Sequence, residues 1–170
     1  MMQQQTDQAD LQILGDIGGT NCRLSLWKGN ECCFIEYYLA EEYEFFEHII
    51  TAFMDLCTAR LALMQESEKQ TQIDSISDLS IRYACLAVAG RVDRGRVYLT
   101  NLNWQLSEED LSESIGCQTF LVNDVYAQAL AVSKSSINDR IHLSGPTDID
   151  LKKTMVVLGV GTGLGEALLI

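Results

Sequence analysis

The chain is short of the residues that most often mark metal, redox or nucleophilic chemistry. Its two histidines are His48 and His142. His48 reads as an exposed helix residue, and nothing pairs His142 with a serine or cysteine nucleophile, so a hydrolytic triad has no support. No Cys-x-x-Cys pair occurs among Cys22, Cys32, Cys33, Cys57, Cys85 and Cys117, which argues against a zinc ribbon or a thioredoxin-type motif. Basic residues are scarce. Twelve Lys and Arg face 24 Asp and Glu, for a net charge of -12 and a pI near 4.4. Such a surface repels nucleic acid and anionic membranes, and neither is expected as a partner. No apolar stretch reads as a membrane span. The candidate, Thr154 to Ile170, contains Glu166 and four glycines and falls short of the roughly 20 residues that a span needs. Met1 to Asp10 is a polar tail with neither the basic start nor the apolar stretch of a signal peptide. The thiols then read as reduced and mostly buried, in a cytoplasmic protein.

What is present is an ordinary globular composition, 47% apolar and 21% charged over 170 residues, enough to bury a real core. Within it one unusual pattern occurs twice: an apolar strand, a glycine-rich turn and a second apolar strand. The first copy is Leu14-Gly15-Asp16-Ile17-Gly18-Gly19-Thr20-Asn21, and the second is Leu158-Gly159-Val160-Gly161-Thr162-Gly163-Leu164-Gly165. Glycine permits positive φ and close approach to the backbone, and successive exposed N–H groups form an anion-binding concavity. Two such turns suggest a clamp on a ligand bearing several phosphates. With so few cations in the chain, a phosphate site is expected to rely on backbone N–H groups and a metal ion. The second turn lacks the lysine of a Walker A loop. It also runs into an apolar strand, where a dinucleotide-binding turn would feed a helix.

Alternation and periodicity predict a three-stranded meander over residues 11–39, then a helix over about 42–66 whose apolar residues recur at three- and four-residue spacing. Residues 83–89 read as a doubly covered central strand and 96–99 as a short strand. A helix starts at Ser107 and ends at Gly116. Residues 119–122 form another strand, and 125–132 a short helix. Residues 133–150, which include the only proline, Pro146, read as a connector, and the second glycine pattern as a closing strand–turn–strand. Strands alternating with helices after a meander indicate an α/β fold with a mixed sheet. The expected division is a domain over 11–132 and the start of a second, similar one over 151–170. The chain stops in mid-strand at Leu168-Leu169-Ile170, which reads as the front part of a longer protein.

Three places carry candidate chemistry. Asp16 sits inside the first turn, where a carboxylate beside phosphate calls for a divalent cation between them, and the Thr20 hydroxyl can donate to a phosphate oxygen. The bland alternative is a simple hairpin with a solvated Asp16. Asn123 and Asp124 lie where a buried strand becomes a helix. Asp124 can accept a proton from an attacking hydroxyl and Asn123 can orient another, although both types are also favoured helix caps. Thr100-Asn101-Leu102-Asn103-Trp104 is a polar loop suited to a polyol, or else a turn with Trp104 tucked into the core.

Taken in order, Leu14 to Asn21, Leu99 to Trp104, Val122 to Asp124 with Ala127-Gln128-Ala129, and Gly159 to Gly165 resemble the bacterial-type glucokinases of the sugar-kinase, Hsp70 and actin superfamily. The resemblance implies ribonuclease-H-like, actin-like ATPase domains that close over ATP–Mg2+ and glucose, with the γ-phosphoryl passing to the sugar's 6-hydroxyl. Carried over residue by residue, Gly15, Asp16, Ile17, Gly18, Gly19 and Thr20 form the first phosphate turn, with Asp16 facing Mg2+ through water. Gly161, Thr162 and Gly163 form the second. Asn123 and Asp124 become the sugar-binding pair, Asp124 being the catalytic base, and Asn101 belongs to the sugar-side loop. A homodimer is among the assemblies that the resemblance allows. The chain departs from the family at Ala89-Gly90-Arg91, where Ala-Gly-Pro is frequent. Two alternatives stand beside this reading: a non-catalytic fragment or sugar-binding regulatory module, and a kinase of another hexose.

Overall fold

The computed structural model describes residues 11–68, 80–145, 153–160 and 164–170. They divide into two compact units, Met1–Val122 and Asn123–Ile170.

In the first unit, β1 (Leu11–Ile17), β2 (Asn21–Lys28) and β3 (Glu31–Leu39) form the expected antiparallel meander. Gly29 turns β2 into β3 at φ 60°, a left-handed position where glycine carries no Cβ penalty. β4 (Ile81–Val88) pairs parallel to β1. With β7 (Gln118–Asn123) the strands make a mixed five-stranded sheet in the order β3-β2-β1-β4-β7. α1 (Phe46–Glu68) presents the stripe Phe46, Ile49, Ile50, Phe53, Met54 and Cys57, all essentially buried. It packs in one cluster with Ile13, Ile17, Leu24, Leu26, Ala84, Leu86 and Val88 from the sheet. The helix starts later than its periodicity predicts, because Ala40–Glu42 forms a 3-10 turn and Tyr43 is extended.

A second hairpin, β5 (Arg96–Leu99) and β6 (Trp104–Ser107), lies outside the main sheet. β6 is a strand that the sequence reading leaves in a loop. The sequence reading takes its first residue, Trp104, for the polar loop and its last, Ser107, for the start of a helix, and its pairing with β5 supplies the order. Val97, Leu99, Trp104 and Leu106 turn into the core, and Gly90 allows that packing, since a Cβ there would lie 2.7 Å from Val97 Cγ2. α2 (Glu108–Ile115) is capped as predicted. Ser107 Oγ accepts the Asp110 N–H at 3.1 Å, and Gly116 closes the helix at φ 79°. Glu108 Oε1 then accepts the Leu121 N–H of β7 at 2.8 Å, which gives a backbone donor of that strand a partner.

In the second unit, α3 (Asp124–Lys134) packs against the antiparallel hairpin β8 (Met155–Val160) and β9 (Leu164–Leu169). No helix among the described residues is long and apolar enough to cross a membrane.

Candidate functional site

In the first unit the candidate residues gather at the β1–β2 turn. The Gly18 N–H donates to the Asn21 carbonyl at 3.0 Å and closes the turn, while the Ala40 N–H donates to the Thr20 carbonyl at 2.9 Å and ties it down. Gly19 and Thr20 are exposed, and their own N–H groups make no hydrogen bond among the described residues. They are backbone donors available to an anion. The Thr20 hydroxyl likewise has no partner there. The glycines do not work as the sequence suggests: neither Gly18 nor Gly19 has positive φ. What they supply is room. A Cβ on Gly18 would sit 3.0 Å from the Asn21 carbonyl oxygen, and one on Gly19 would sit 3.5 Å from Asn101 Nδ2. The Asn101 side chain is therefore brought beside the turn.

Three of the predicted phosphate-turn residues, Gly15, Asp16 and Ile17, lie in the strand before it. Ile17 is fully buried. Gly15 is paired with Leu24 on one side and Leu86 on the other, and a Cβ there would meet their Cδ2 atoms at 2.8 and 2.6 Å. Gly15 is a packing position that two leucines fill.

Asp16 points to the opposite face of β1, across from Arg23 in the hairpin register. Arg23 Nη2 donates to Asp16 Oδ2 at 3.1 Å, with both side chains about half exposed. Sequence reasoning missed Arg23 and expected no cation here. The signal lay in the length of the turn, which sets Asp16 opposite Arg23. The pair is open to solvent, so its contribution to stability is small, and its consequence is that an acid and a guanidinium share the mouth of the turn. Beneath it, burial and the nearby Asp16 charge push the Cys22 thiol up to about 12.

Trp104 is 3% exposed, donates Nε1–H to the Glu44 carbonyl at 2.9 Å and contacts the Phe46 ring. The core role for Trp104 thus wins, while Thr100 and Asn101 remain exposed. Asn103 stands in the left-handed region at φ 54°, and its Oδ1 accepts the Tyr98 hydroxyl.

In the second unit the two readings of Asn123-Asp124 divide between the residues. Asn123 is the N-cap of α3, its Oδ1 accepting the Tyr126 N–H at 3.0 Å. Asp124, the first helical residue, receives the Val125 N–H at 2.8 Å and the Asn123 amide at 3.1 Å, both on Oδ1. Oδ2 has no hydrogen bond among the described residues, so the carboxylate is oriented through one oxygen only. Further along, Gly159 and Gly165 face each other in register. A Cβ on Gly165 would collide with Val125 of α3, and one on Gly159 would sit 3.0 Å from Gln128 Oε1. Gly161, Thr162 and Gly163 lie outside the described residues.

Solved structures share this architecture. The chain is similar to glucokinase from Balamuthia mandrillaris in complex with glucose, with a TM-score of 0.68 and 24% identity over 98% of this chain and 46% of that one. It is also similar to glucokinase from an Antarctic psychrotroph, with a TM-score of 0.65 and 24% identity over 96% and 47%. The glucokinase family model matches residues 13–170, and the chain belongs to that family. Among curated relatives, the glucokinase of Caulobacter sp. (strain K31) is 33% identical over 162 residues, 92% of this chain and 43% of the relative. That of Rhizobium leguminosarum bv. trifolii (strain WSM2304) is 35% identical over 154 residues, 90% and 40%. The chain spans about two fifths of the length of the curated relatives it matches.

Proposed function

We propose that the chain is part of an ATP-dependent kinase that phosphorylates glucose at its 6-hydroxyl. The observation that carries this reading is Asp124, whose Oδ1 is held by Val125 and Asn123 while Oδ2 has no hydrogen bond among the described residues. In the proposed reaction Asp124 takes the hydroxyl proton as the sugar oxygen bonds to the γ-phosphorus. The bond from that phosphorus to its bridging oxygen breaks and ADP leaves. Asn123 and Asn101 orient the sugar. The N–H groups of Gly19 and Thr20 and the Thr20 hydroxyl bind phosphate, as do Gly161, Thr162 and Gly163.

Asp16 fits Mg2+ in the manner the nucleotide requires. It is a single, half-exposed carboxylate, and no group of three metal-ligating side chains exists among the described residues. That donor set suits an ion that keeps its waters and is held largely by phosphate oxygens. When bound, Mg2+ neutralises charge on the phosphates. Arg23, directly opposite on β2, holds the Asp16 carboxylate and adds a cation beside it.

The test is a coupled ATP-plus-glucose assay on the full-length product of the reading frame, with Asp124→Ala beside the unaltered protein. Removing the base should cut kcat by about 10^2- to 10^4-fold while glucose binding, followed by calorimetry, stays within a few-fold. Unchanged turnover would remove Asp124 from its role, and a panel of hexoses in the same assay decides the acceptor.

A further inference from the structure

The far end of the β5–β6 hairpin carries a feature that the proposed reaction does not use. Arg91, Arg94 and Arg96, with Tyr98 and Gln105, line an open cleft of about 740 Å3. In a chain with 12 basic residues and a net charge of -12, three arginines within six positions are a marked concentration. None of the three makes an ion pair or hydrogen bond through its side chain among the described residues. Asp93 lies in the same cleft without closing on them, and Glu108 accepts the Leu121 N–H on Oε1 while its Oε2 lies beside Gly95 without an ion pair to any of the three.

The backbone adds an independent sign. The Asp93 N–H donates to the Arg96 carbonyl at 2.9 Å and the Arg96 N–H to the Asp93 carbonyl at 3.1 Å, which closes a two-residue turn. Both of its central residues are left-handed, Arg94 at φ 50° and Gly95 at φ 70°. Such a turn favours Asn or Gly at its first central position, and arginine there is strained. Backbone strain of this kind gathers at ligand clamps.

We propose that this cleft binds a small phosphorylated ligand. The guanidinium groups take its phosphate through charge-assisted hydrogen bonds, and Tyr98 and Gln105 meet its ring or hydroxyl groups. The volume lies in the usual small-molecule range of roughly 300–1,000 Å3, and the acidic remainder of the surface disfavours a nucleic acid. The cleft is connected to the loop beside the phosphate turn. Tyr98 lines it and donates to Asn103 Oδ1, and Asn103 shares its loop with Asn101. Occupancy therefore alters the sugar-side loop through Tyr98. That relay rests on the sugar-binding reading of Asn101, whereas binding in the cleft does not.

Calorimetry on the 170-residue chain at low ionic strength, with inorganic pyrophosphate, glucose 6-phosphate and ADP as probes, tests the site. Inorganic pyrophosphate is expected to fill one saturable site, at least tenfold weaker in Arg91→Gln/Arg96→Gln and unchanged in Asp16→Ala. For glucose 6-phosphate and ADP, the products of the proposed reaction, only the binding that the arginine variant removes is assigned to the cleft, and its relative strength distinguishes a sugar phosphate from a nucleotide. Arg94→Asn should raise Tm while weakening the same binding about tenfold, a combination that structural damage does not produce. Absence of saturable binding by all three probes, arginine variants that bind as well as the original, or binding lost with Asp16→Ala would each overturn the cleft. For the relay, an anion probe should change glucose affinity in the original protein and not in Tyr98→Phe. Equal effects in both would overturn the relay while leaving the cleft in place.

Discussion

Replacing Gly15 by alanine tests whether the repeated glycine at the end of the first strand serves packing or chemistry. The new Cβ would stand 2.6 Å from Leu86 Cδ2 and 2.8 Å from Leu24 Cδ2, where carbon atoms prefer about 3.5–4.0 Å. Both leucines are fully buried at the centre of the five-stranded sheet, so each methyl must retreat by about 0.8 Å into a packed interior. Overpacking of this order costs about 1–3 kcal/mol. The Gly-to-Ala change returns about 0.4–1 kcal/mol by restricting the unfolded chain. A net loss of about 1–2 kcal/mol should appear in urea as a fall of roughly 0.5–1 M in the transition midpoint with an unchanged slope. In a Leu86→Val background, which removes the obstructing Cδ2, the cost of Gly15→Ala should shrink by about 1 kcal/mol. A Gly15→Ala protein as stable as the original, or one indifferent to Leu86, would refute the packing account and return Gly15 to the phosphate turn.

Gly165→Ala should detach α3 from the β8–β9 hairpin, because its Cβ would collide with Val125. Faster proteolysis within α3, relieved in Gly165→Ala/Val125→Ala, is the expected result, and no relief would place the strain elsewhere. Alkaline pH should destabilise the protein through Cys22 and Cys57, whose thiols burial pushes up to about 12 from 9.0, with Asp16 adding to the first and Cys33 to the second. Above pH 9 the unfolded chain gives up these protons and the folded one keeps them, so stability falls as pH rises towards 12. Each thiol should cost about 1.4 kcal/mol by pH 10. Cys22→Ala should remove about that much of the drop between pH 8 and pH 10 in denaturant titrations, and an identical drop would rule the thiol out.

The meander, the α1 stripe, the α2 caps and the mixed sheet were legible because each follows from local rules: period-2 alternation, period-3.6 burial, a serine cap and a left-handed glycine. β6 was not, since Trp104 and Ser107 at its two ends read as loop and helix cap, and its order comes from Arg96 to Leu99 across the hairpin. At the site, Asp16, Gly19, Thr20 and the Asn123-Asp124 pair could be picked out by residue type and by position at strand ends. Arg23 could not, because its place beside Asp16 depends on the register of a turn whose length composition does not encode. The same holds for Glu108. It reads as an ordinary first-turn acid of α2, yet it supplies an acceptor to β7, 13 residues on.

The two glycine patterns look alike in sequence because they share a packing device, and they differ where chemistry is concerned. Aligned at Leu14-Gly15 and Leu158-Gly159, each places a glycine in a strand where a neighbour closes in, leucines on Gly15 and Gln128 on Gly159. The turns then diverge. The first hairpin pairs Ile17 with Cys22, whereas the second pairs Val160 with Leu164, one residue fewer between the paired positions. Asp16 and Arg23 have no counterpart in the second hairpin. The same alignment puts exposed Val160 where Asp16 stands and Ala167 where Arg23 stands. The acid–guanidinium pair thus belongs to the first hairpin, and the exposed carboxylate of the second, Glu166, stands opposite Leu158 instead. On that division of labour, exchanging Asp16 and Val160 should not yield an equivalent site, since an acid at 160 would lack the guanidinium that orients Asp16.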